Sequence, residues 1–378
     1  MGPLNGLKVI ELGGIGPGPM CAMLLADLGA TVLRIDRREE SGLGVPRPRR
    51  FDLLLRNRRS LRLDLKQPAG VELALVLISR SDVLMEGFRP GVTERLGIGP
   101  GVCLGRNPRL VYGRITGWGQ EGPLADVSGH DIDYLALTGA LCAFGRAGQA
   151  PVSPINLVGD FGGGALYLAL GILAALHEVK SSGRGQVVDA AMVDGVASLM
   201  TQPQGSFAAG LMSLARGTNP TDSGAPFYDA YECADGQWIA LGAVERRFYA
   251  EALRVLGLDS LLPEQWDRTR WPAAKEKIAD RVKTRTREEW VRAFAGTESC
   301  FAPVLSIEEA PAHPHHRARG TYLEVDGIVQ PAPAPRFSRS VPPPPRPHRD
   351  WDAEEAVEIL APWLDTAEVA AAKAAGSL

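Results

Sequence analysis

Near its amino end, the 378-residue chain carries the segment LKVIELGGIGPGPMCAMLLADLGATVLRID, residues 7–36. The apolar start of this segment predicts a short strand, which runs into the glycine- and proline-rich loop 13–19. An apolar helix is predicted over Met20–Leu28, with Gly29 as its cap, and Thr31–Asp36 predicts a second strand. Together they form a βαβ unit, which predicts a parallel sheet in an α/β domain.

A dinucleotide site is the first function that such a unit suggests. Asp36 ends the second strand about 20 residues beyond the glycines, as in Rossmann units that bind NAD. The G-x-G-x-x-G pattern is not met, because Pro19 or Cys21 stands where its last glycine belongs. A tight turn that feeds a helix beginning at a proline is therefore the favoured interpretation.

The alternation of strand and helix continues beyond this unit. Further patterns predict a helix over 68–80 and strands over 82–86 and 110–115. Ligands of α/β sheets lie at the carboxyl ends of the strands, so the loops after these strands should gather at one edge. These loops are 13–19, 37, 87–91 and 116–119.

A basic segment interrupts the pattern at residues 39–66, which we predict to be irregular. Its cations are Arg47, Arg49, Arg50, Arg56, Arg58, Arg59, Arg62 and Lys66. One interpretation is a solvated surface loop. The other is a site for a phosphorylated ligand, because guanidinium groups fork onto phosphate oxygens. The overall net charge of −3 argues against a nucleic-acid partner.

The composition changes along the chain in a way that predicts three parts. Residues 1–216 form the large domain, and a loop rich in glycine, threonine and serine leads into a small domain at 217–328. Residues 329–378 contain a proline-rich strap and a helix that returns to the large domain.

The bulk composition narrows the class of protein further. No apolar run reaches the roughly 18 residues that a membrane span needs, so we expect no membrane partner. The five cysteines are dispersed without a C-x-x-C pair, which is typical of reduced thiols and predicts a cytoplasmic location. The cluster of His313, His315 and His316 lacks completing ligands, so no metal is expected.

The most informative residues are His130 and Asp160, which lie in GHDIDY (129–134) and NLVGDFGGG (156–164). Each has a structural alternative: His130 as an ordinary loop residue and Asp160 as a helix cap. As a catalytic pair, an imidazole and a carboxyl group facing one carbon could move a proton on and off it. The glycines after Asp160 would let a substrate approach the backbone, and free N–H groups there, including that of Asp160, could stabilise an oxyanion.

Ordered motifs over nearly the whole chain resemble the CaiB/BaiF family, also known as family III CoA-transferases. They are ELGGIGPGP (11–19), ADLGA (26–30), RIDR (34–37), DLK (64–66), RPGV (89–92), GHDI (129–132), NLVGD (156–160), GQVVD (185–189) and GAPFY (224–228). The resemblance implies an α/β fold with a Rossmann-like large domain and a smaller α+β domain. It also implies an interlocked homodimer whose active sites are shared between chains.

Within this family the chain is most similar to the racemases. That pattern implies catalytic roles for His130 and Asp160, supported by Asn156 and Glu245. It implies a CoA site at Arg37, Leu63, Asp64, Leu65, Lys66, Gly87, Phe88, Arg89, Arg95, Gly129, Asp131 and Tyr134. The implied reaction interconverts (R)- and (S)-2-methylacyl-CoA thioesters by 1,1-proton transfer. CoA is then part of the substrate, and no permanently bound cofactor or metal is expected.

Two other functions stay open at this level. In a CoA-transferase, Asp160 would be a nucleophile that forms an acyl anhydride. Such transferases carry a glutamine near position 15 and a run of glycines near 242–246, where this chain has Ile15 and Glu245. A non-catalytic acyl-CoA-binding protein is the second alternative. The chain departs from the racemase pattern at Asp133, Arg246 and Pro220-Thr221, and the last two, near the acyl side, leave the acyl-chain preference open.

Overall fold

A computed structural model describes residues 1–39, 42–349 and 351–378. By its internal contacts the chain divides into two compact units. The first comprises Met1–Thr138, Ile155–Leu199 and Gly320–Leu378. The second comprises Gly139–Pro154 and Met200–Arg319.

The strands follow the alternation predicted from the sequence. They are β1 (Lys8–Leu12), β2 (Thr31–Asp36), β3 (Arg59–Arg62), β4 (Val83–Glu86), β5 (Val111–Thr116), β6 (Val187–Ala191), β7 (Tyr228–Glu232), β8 (Trp238–Gly242), β9 (Phe301–Pro303), β10 (Tyr322–Val325) and β11 (Ile328–Pro331).

The helices connect and flank these strands. They are α1 (Pro17–Asp27), α2 (Pro68–Ser79), α3 (Val92–Arg95), α4 (Pro100–Arg106), α5 (Asp131–Leu137), α6 (Ala140–Ala143), α7 (Leu166–Ser182), α8 (Met192–Leu199), α9 (Thr201–Ala208), α10 (Arg246–Leu256), α11 (Trp271–Val282), α12 (Arg287–Phe294), α13 (Pro314–Arg319), α14 (Ala356–Leu360) and α15 (Thr366–Ala374). A π-helix spans Leu157–Ala165 and runs directly into α7.

The first unit is built on a parallel sheet in the order β3-β2-β1-β4-β5-β6. This is the strand order of a Rossmann fold, so the α/β prediction is confirmed. Helix α1 begins at Pro17, three residues earlier than predicted, because proline suits the first turn of a helix.

Helices cover both faces of this sheet, and the period-2 alternation of strand residues explains how. Ile10 and Leu33 face the core that includes α2, α14 and α15. Val9 and Val32 face the opposite core, which α1 and α7 complete. Leu360, in the carboxyl-terminal segment, lies in the first of these cores.

The first half of the basic segment is an exposed loop over 42–48, but the second half departs from the prediction of an irregular segment. It contains β3 at the sheet edge, and two of its arginines are buried. Arg56 binds the buried carboxylate of Asp27 at 2.5 Å, and Arg58 binds Glu11 at 2.9 Å. Carboxylates distant in sequence neutralise these cations, so they are not available to a phosphate.

The second unit carries an antiparallel sheet in the order β7-β8-β9. The Ala-Asp-Gly sequence at 234–236 predicts a turn, and β7 and β8 form the hairpin around it, with Cys233 N–H bonded to the Gln237 carbonyl. Residues 139–154 and 200–216, which we assigned to the large domain, cluster with this unit. The division of the chain at 1–216, 217–328 and 329–378 stays a prediction.

One continuous helical segment, Leu157–Ser182, is long and apolar enough by length and composition to cross a membrane. This differs from the prediction that no such run exists. Leu168, Ile172, Ala175 and Val179 are nevertheless buried against the sheet, as in the core helix of an α/β protein.

Candidate active site

His130 and Asp160 lie on two different helical segments of the first unit. His130 is the residue before α5, where its backbone N–H donates to the Asp133 carboxylate at 2.9 Å. Its side chain is exposed. Asp160 lies in the first half of the π-helix and is half-buried. Such wide helical turns are frequent at functional sites.

Asp131 holds these two segments together. Its carboxylate is buried and accepts the backbone N–H of Asp160 at 2.7 Å. A Cβ added to Gly159 would lie 2.5 Å from the same carboxylate oxygen, so only glycine allows this approach. The residue next to His130 therefore fixes the backbone that carries Asp160.

The carboxyl group of Asp160 has an environment that favours its protonated form. Burial raises the pKa of Asp160, and the nearby charge of Asp131 raises it further. Asn156 donates to Asp160 Oδ2 at 3.4 Å, and the charge of His130 acts in the opposite direction on the same pKa. A carboxyl group that is protonated more readily than usual is suited to deliver a proton.

The glycine loop before α1 borders this carboxyl group. A Cβ on Gly16 would lie 3.3 Å from Asp160 Oδ2, and Gly16 has φ +65°, which favours glycine. The prediction that loop 13–19 lies at the ligand edge is consistent with this contact. The loop lacks the dinucleotide pattern and here borders the candidate catalytic acid.

The backbone N–H of Asp160 does not point into the site. We predicted that it could stabilise an oxyanion, and this was wrong, because Asp131 already accepts its hydrogen bond. Among the described residues the N–H of Asp131, directly after His130, donates to no protein acceptor. It is a better candidate donor to a developing oxyanion.

A strained residue precedes the π-helix. Ile155 has φ +60°, a left-handed conformation that is uncommon for a β-branched side chain. It comes directly before Asn156, the hydrogen-bond partner of Asp160. Such outliers cluster at functional sites, where the surrounding structure stabilises them.

Three of the predicted CoA residues line one open cavity of about 500 Å³. They are Leu65, Lys66 and Arg95, and the cavity is completed by residues of α2 and by Leu96. Two cations beside an open cavity suit the phosphates of a nucleotide. Sequence positions 30 residues apart are therefore brought together here.

Several of the other predicted CoA residues form contacts in or near the strand-end loops. The Arg37 guanidinium lies 5.8 Å from the centre of the Phe88 ring, and Arg89 Nη2 donates to Ser128 Oγ at 2.5 Å. The Tyr134 hydroxyl donates to the Gly129 carbonyl at 2.5 Å. These contacts agree with the expected gathering of the loops at one edge of the sheet.

Among the predicted CoA residues Leu63 is turned away from solvent, whereas Asp64 is half-buried and Gly87 is exposed. Leu63 is buried in the core, and the Asp64 carboxylate accepts the backbone N–H of Lys66 at 2.9 Å. Gly87 lies against Ile115. Any contact of Leu63 with a ligand would have to use its backbone.

Glu245 belongs to the second unit, where it is the exposed residue that precedes α10.

Within residues 1–39, 42–349 and 351–378, no group of three or more His, Cys, Asp or Glu side chains is arranged to hold a metal ion.

A model of the family described as CoA-transferase family III matches residues 4–352. The chain belongs to this family. It is 46% identical to alpha-methylacyl-CoA racemase of Mus musculus over 366 residues, covering 94% of this chain and 92% of that protein. It is also 46% identical to alpha-methylacyl-CoA racemase of Homo sapiens over 336 residues, covering 88% and 86%.

A solved member of CoA-transferase family III has the same fold. A CaiB/BaiF family protein from Brucella suis matches with a TM-score of 0.81 at 24% identity, covering 95% of this chain and 99% of that one. This likeness supports the architecture described above.

Sequence reasoning missed the structural role of Asp131 and the buried charges of Glu86 and Arg114. Glu86 and Arg114 are register partners on neighbouring strands, β4 and β5. Opposite charges within two otherwise apolar strands are a signal that could have revealed them.

Proposed function

We propose that this protein is a racemase that interconverts (R)- and (S)-2-methylacyl-CoA thioesters, with His130 and Asp160 as its two acid/base groups. The observation that carries the proposal is the contact between Asp131 and the Asp160 backbone. It ties the start of α5, where His130 lies, to the π-helix. This geometry joins an imidazole to a carboxyl group with a raised pKa.

The proposed reaction needs a base on one face of the α-carbon and an acid on the other. The α-proton of a thioester is far less acidic than any side chain, so the enolate oxygen must be stabilised by aligned donors. One such donor contributes about 3–4 kcal/mol in measured cases. In one direction neutral His130 removes the proton and protonated Asp160 returns one, and in the other direction the roles are reversed.

The CoA part of the substrate would bind at the strand-end loops. The cavity lined by Lys66 and Arg95 suits its phosphates, and Arg37 and Arg89 lie on neighbouring loops. In this proposal CoA is the part of the substrate through which the protein binds it, and no other cofactor takes part in the proton transfer.

A CoA-transferase is the alternative, with Asp160 as nucleophile. In that role the Asp160 carboxylate would attack the acyl carbon and form an anhydride. Ile15 and Glu245 differ from the glutamine and the glycine run that transferases carry there.

The two functions are separated by incubating 2-methylbutanoyl-CoA with the protein and free acetate in deuterated water. We expect deuterium at the α-carbon and loss of enantiomeric excess, with no acetyl-CoA. Formation of acetyl-CoA without α-exchange would overturn the racemase proposal. Tight CoA binding with neither reaction would identify a binding protein.

We also propose that the active form is a homodimer in which Glu245 of the partner subunit orients His130. The first unit exposes large apolar side chains on α5, the π-helix and α7, which suits a protein interface. They are Ile132, Leu137, Leu157, Leu166 and Leu170.

The dispersed free cysteines suit a cytoplasmic enzyme.

Subunit mixing tests the shared site. His130→Ala and Glu245→Ala variants should each have low activity, and reassociation of the two should restore one complete site in each mixed dimer. A monomer in sedimentation, or no recovery on mixing, would refute the shared site without touching the racemase proposal.

A further inference from the structure

A buried ion network lies beneath the loops of the candidate CoA site. Arg114 on β5 has only 7% of its side chain exposed, and Glu86 at the end of β4 has none. Arg114 Nε donates to Glu86 Oε1 at 2.8 Å. Burial raises the pKa of Glu86 to about 6, which leaves it ionised at neutral pH beside the guanidinium.

The first branch of this network reaches the loop 87–91. The second carboxylate oxygen of Glu86 accepts the backbone N–H of Phe88 at 2.6 Å. This bond fixes the turn directly after the strand, and the Phe88 ring faces Arg37. The position of the loop therefore depends on the Glu86 carboxylate. Among the described residues, Arg114 is the only one that forms a direct ion pair with this carboxylate.

The second branch reaches α3. Arg114 Nη1 donates to Glu94 Oε1 at 2.9 Å, and Nη2 lies 3.4 Å from both Glu94 Oε2 and Thr93 Oγ1. The next residue is Arg95, which lines the cavity with Lys66. A Cβ on Gly91 would lie 3.0 Å from Arg95 Nη1, so this side chain folds back towards the loop of the first branch.

One guanidinium thus contacts the carboxylates that hold both sides of the candidate CoA site, yet it is too buried to contact a ligand itself. Apolar residues of similar volume often stabilise a fold as well as a buried ion pair does. Stability alone therefore gives little reason for a charge network at this place, and the side-chain hydrogen bonds of Arg114 go to Glu86, Glu94 and Thr93 beside the ligand edge.

We propose that Arg114, through Glu86 and Glu94, is a positioning residue that sets the geometry of the CoA-binding loops, and so controls affinity for the CoA moiety rather than the proton transfer. This inference rests on the proposed function only for the identity of the ligand.

Glu94→Gln is the first test variant, because its side chain is 46% exposed and it leaves the Arg114–Glu86 pair intact. We expect the dissociation constant for free CoA, measured by calorimetry, to rise about 5- to 10-fold, as for one lost charge-assisted contact. The KM for 2-methylbutanoyl-CoA should rise in parallel, with kcat within about 2-fold.

Two controls separate positioning from general damage. Glu368→Gln removes a carboxylate that binds Arg80 in the same unit, at 2.6 Å, away from these loops, and should leave CoA affinity unchanged. The N-acetylcysteamine thioester lacks the nucleotide, so its turnover by Glu94→Gln should equal that of the unmodified protein. General misfolding would lower both.

The double variant Arg114→Met/Glu86→Gln removes the whole pair without leaving a buried unpaired charge. It should weaken CoA binding more than Glu94→Gln does. Unchanged CoA affinity in both variants would overturn the inference. If CoA affinity falls as expected but no variant or parent exchanges α-protons, the racemase proposal fails and the positioning role stands.

Discussion

The carboxylate of Asp131 accepts the backbone N–H of Asp160 at 2.7 Å, although 29 residues separate them in the chain. This bond connects the residue that follows His130 to the π-helix that carries Asp160. Proton transfer to and from one carbon by two side chains requires a closely fixed distance between them. A misplacement of 1 Å can lower the rate about 100-fold. Asp131 is the residue that provides this constraint within the first unit.

Replacement of Asp131 should therefore damage catalysis more than binding. For Asp131→Ala we expect kcat for α-proton exchange to fall about 100-fold, which exceeds the loss of CoA affinity expected from one residue of the CoA site. Asp131→Asn keeps an acceptor oxygen and should lose less. Equal losses in the two variants would contradict a role as backbone acceptor. Exchange rates followed by NMR and CoA titration provide the two readouts.

The raised pKa of Asp160 makes a prediction about stability. A carboxyl group whose pKa is higher in the folded state is relatively stabilising at low pH, and this contribution is lost as pH rises through its folded pKa. Asp160→Asn should therefore raise the thermal midpoint at pH 7–8. The difference should shrink below about pH 4, where the carboxyl group is protonated in both states. A variant less stable than its parent at pH 8 would refute this.

Glu11 is the centre of a buried charge network under the glycine loop. It binds Arg34 at 2.5 Å and Arg58 at 2.9 Å. Glu11→Gln leaves two buried cations with less compensation and should lower the free energy of unfolding by about 3–5 kcal/mol. Arg47→Ala, an exposed residue of the same basic segment, should change it by less than about 0.5 kcal/mol. Urea denaturation measures both.

Lys66 and Arg95 should act on the nucleotide end of the substrate. Each alanine variant is expected to raise the KM for the CoA thioester by about 10-fold while kcat stays near that of the parent. The increase should be smaller at high ionic strength, because salt already screens the phosphate charges. A fall in kcat with unchanged KM would place these cations elsewhere in the reaction.

The parallel sheet was predictable because its information is local. Residues 31–36 became a strand with the predicted bounds, since apolar β-branched residues lie between two turns. The hairpin of β7 and β8 was predictable for a similar reason, because its turn chemistry is written in adjacent residues.

The basic segment shows where prediction from local sequence fails. Its arginines look solvated until Asp27 and Glu11, in the preceding βαβ unit, are brought against Arg56 and Arg58. The hydrogen bond from the Asp160 amide to Asp131 was missed for the same reason, because it joins two segments distant in sequence.

In the proposed mechanism, His130 and Asp160 serve opposite faces of one α-carbon. Single enantiomers of 2-methylbutanoyl-CoA, incubated in deuterated water with His130→Asn and with Asp160→Asn, test it most directly. Both variants should lose racemisation, while each should still exchange the α-proton of one enantiomer with retention, a different one for each variant. Exchange of the same enantiomer by both variants, or racemisation by either at the parental rate, would contradict the account.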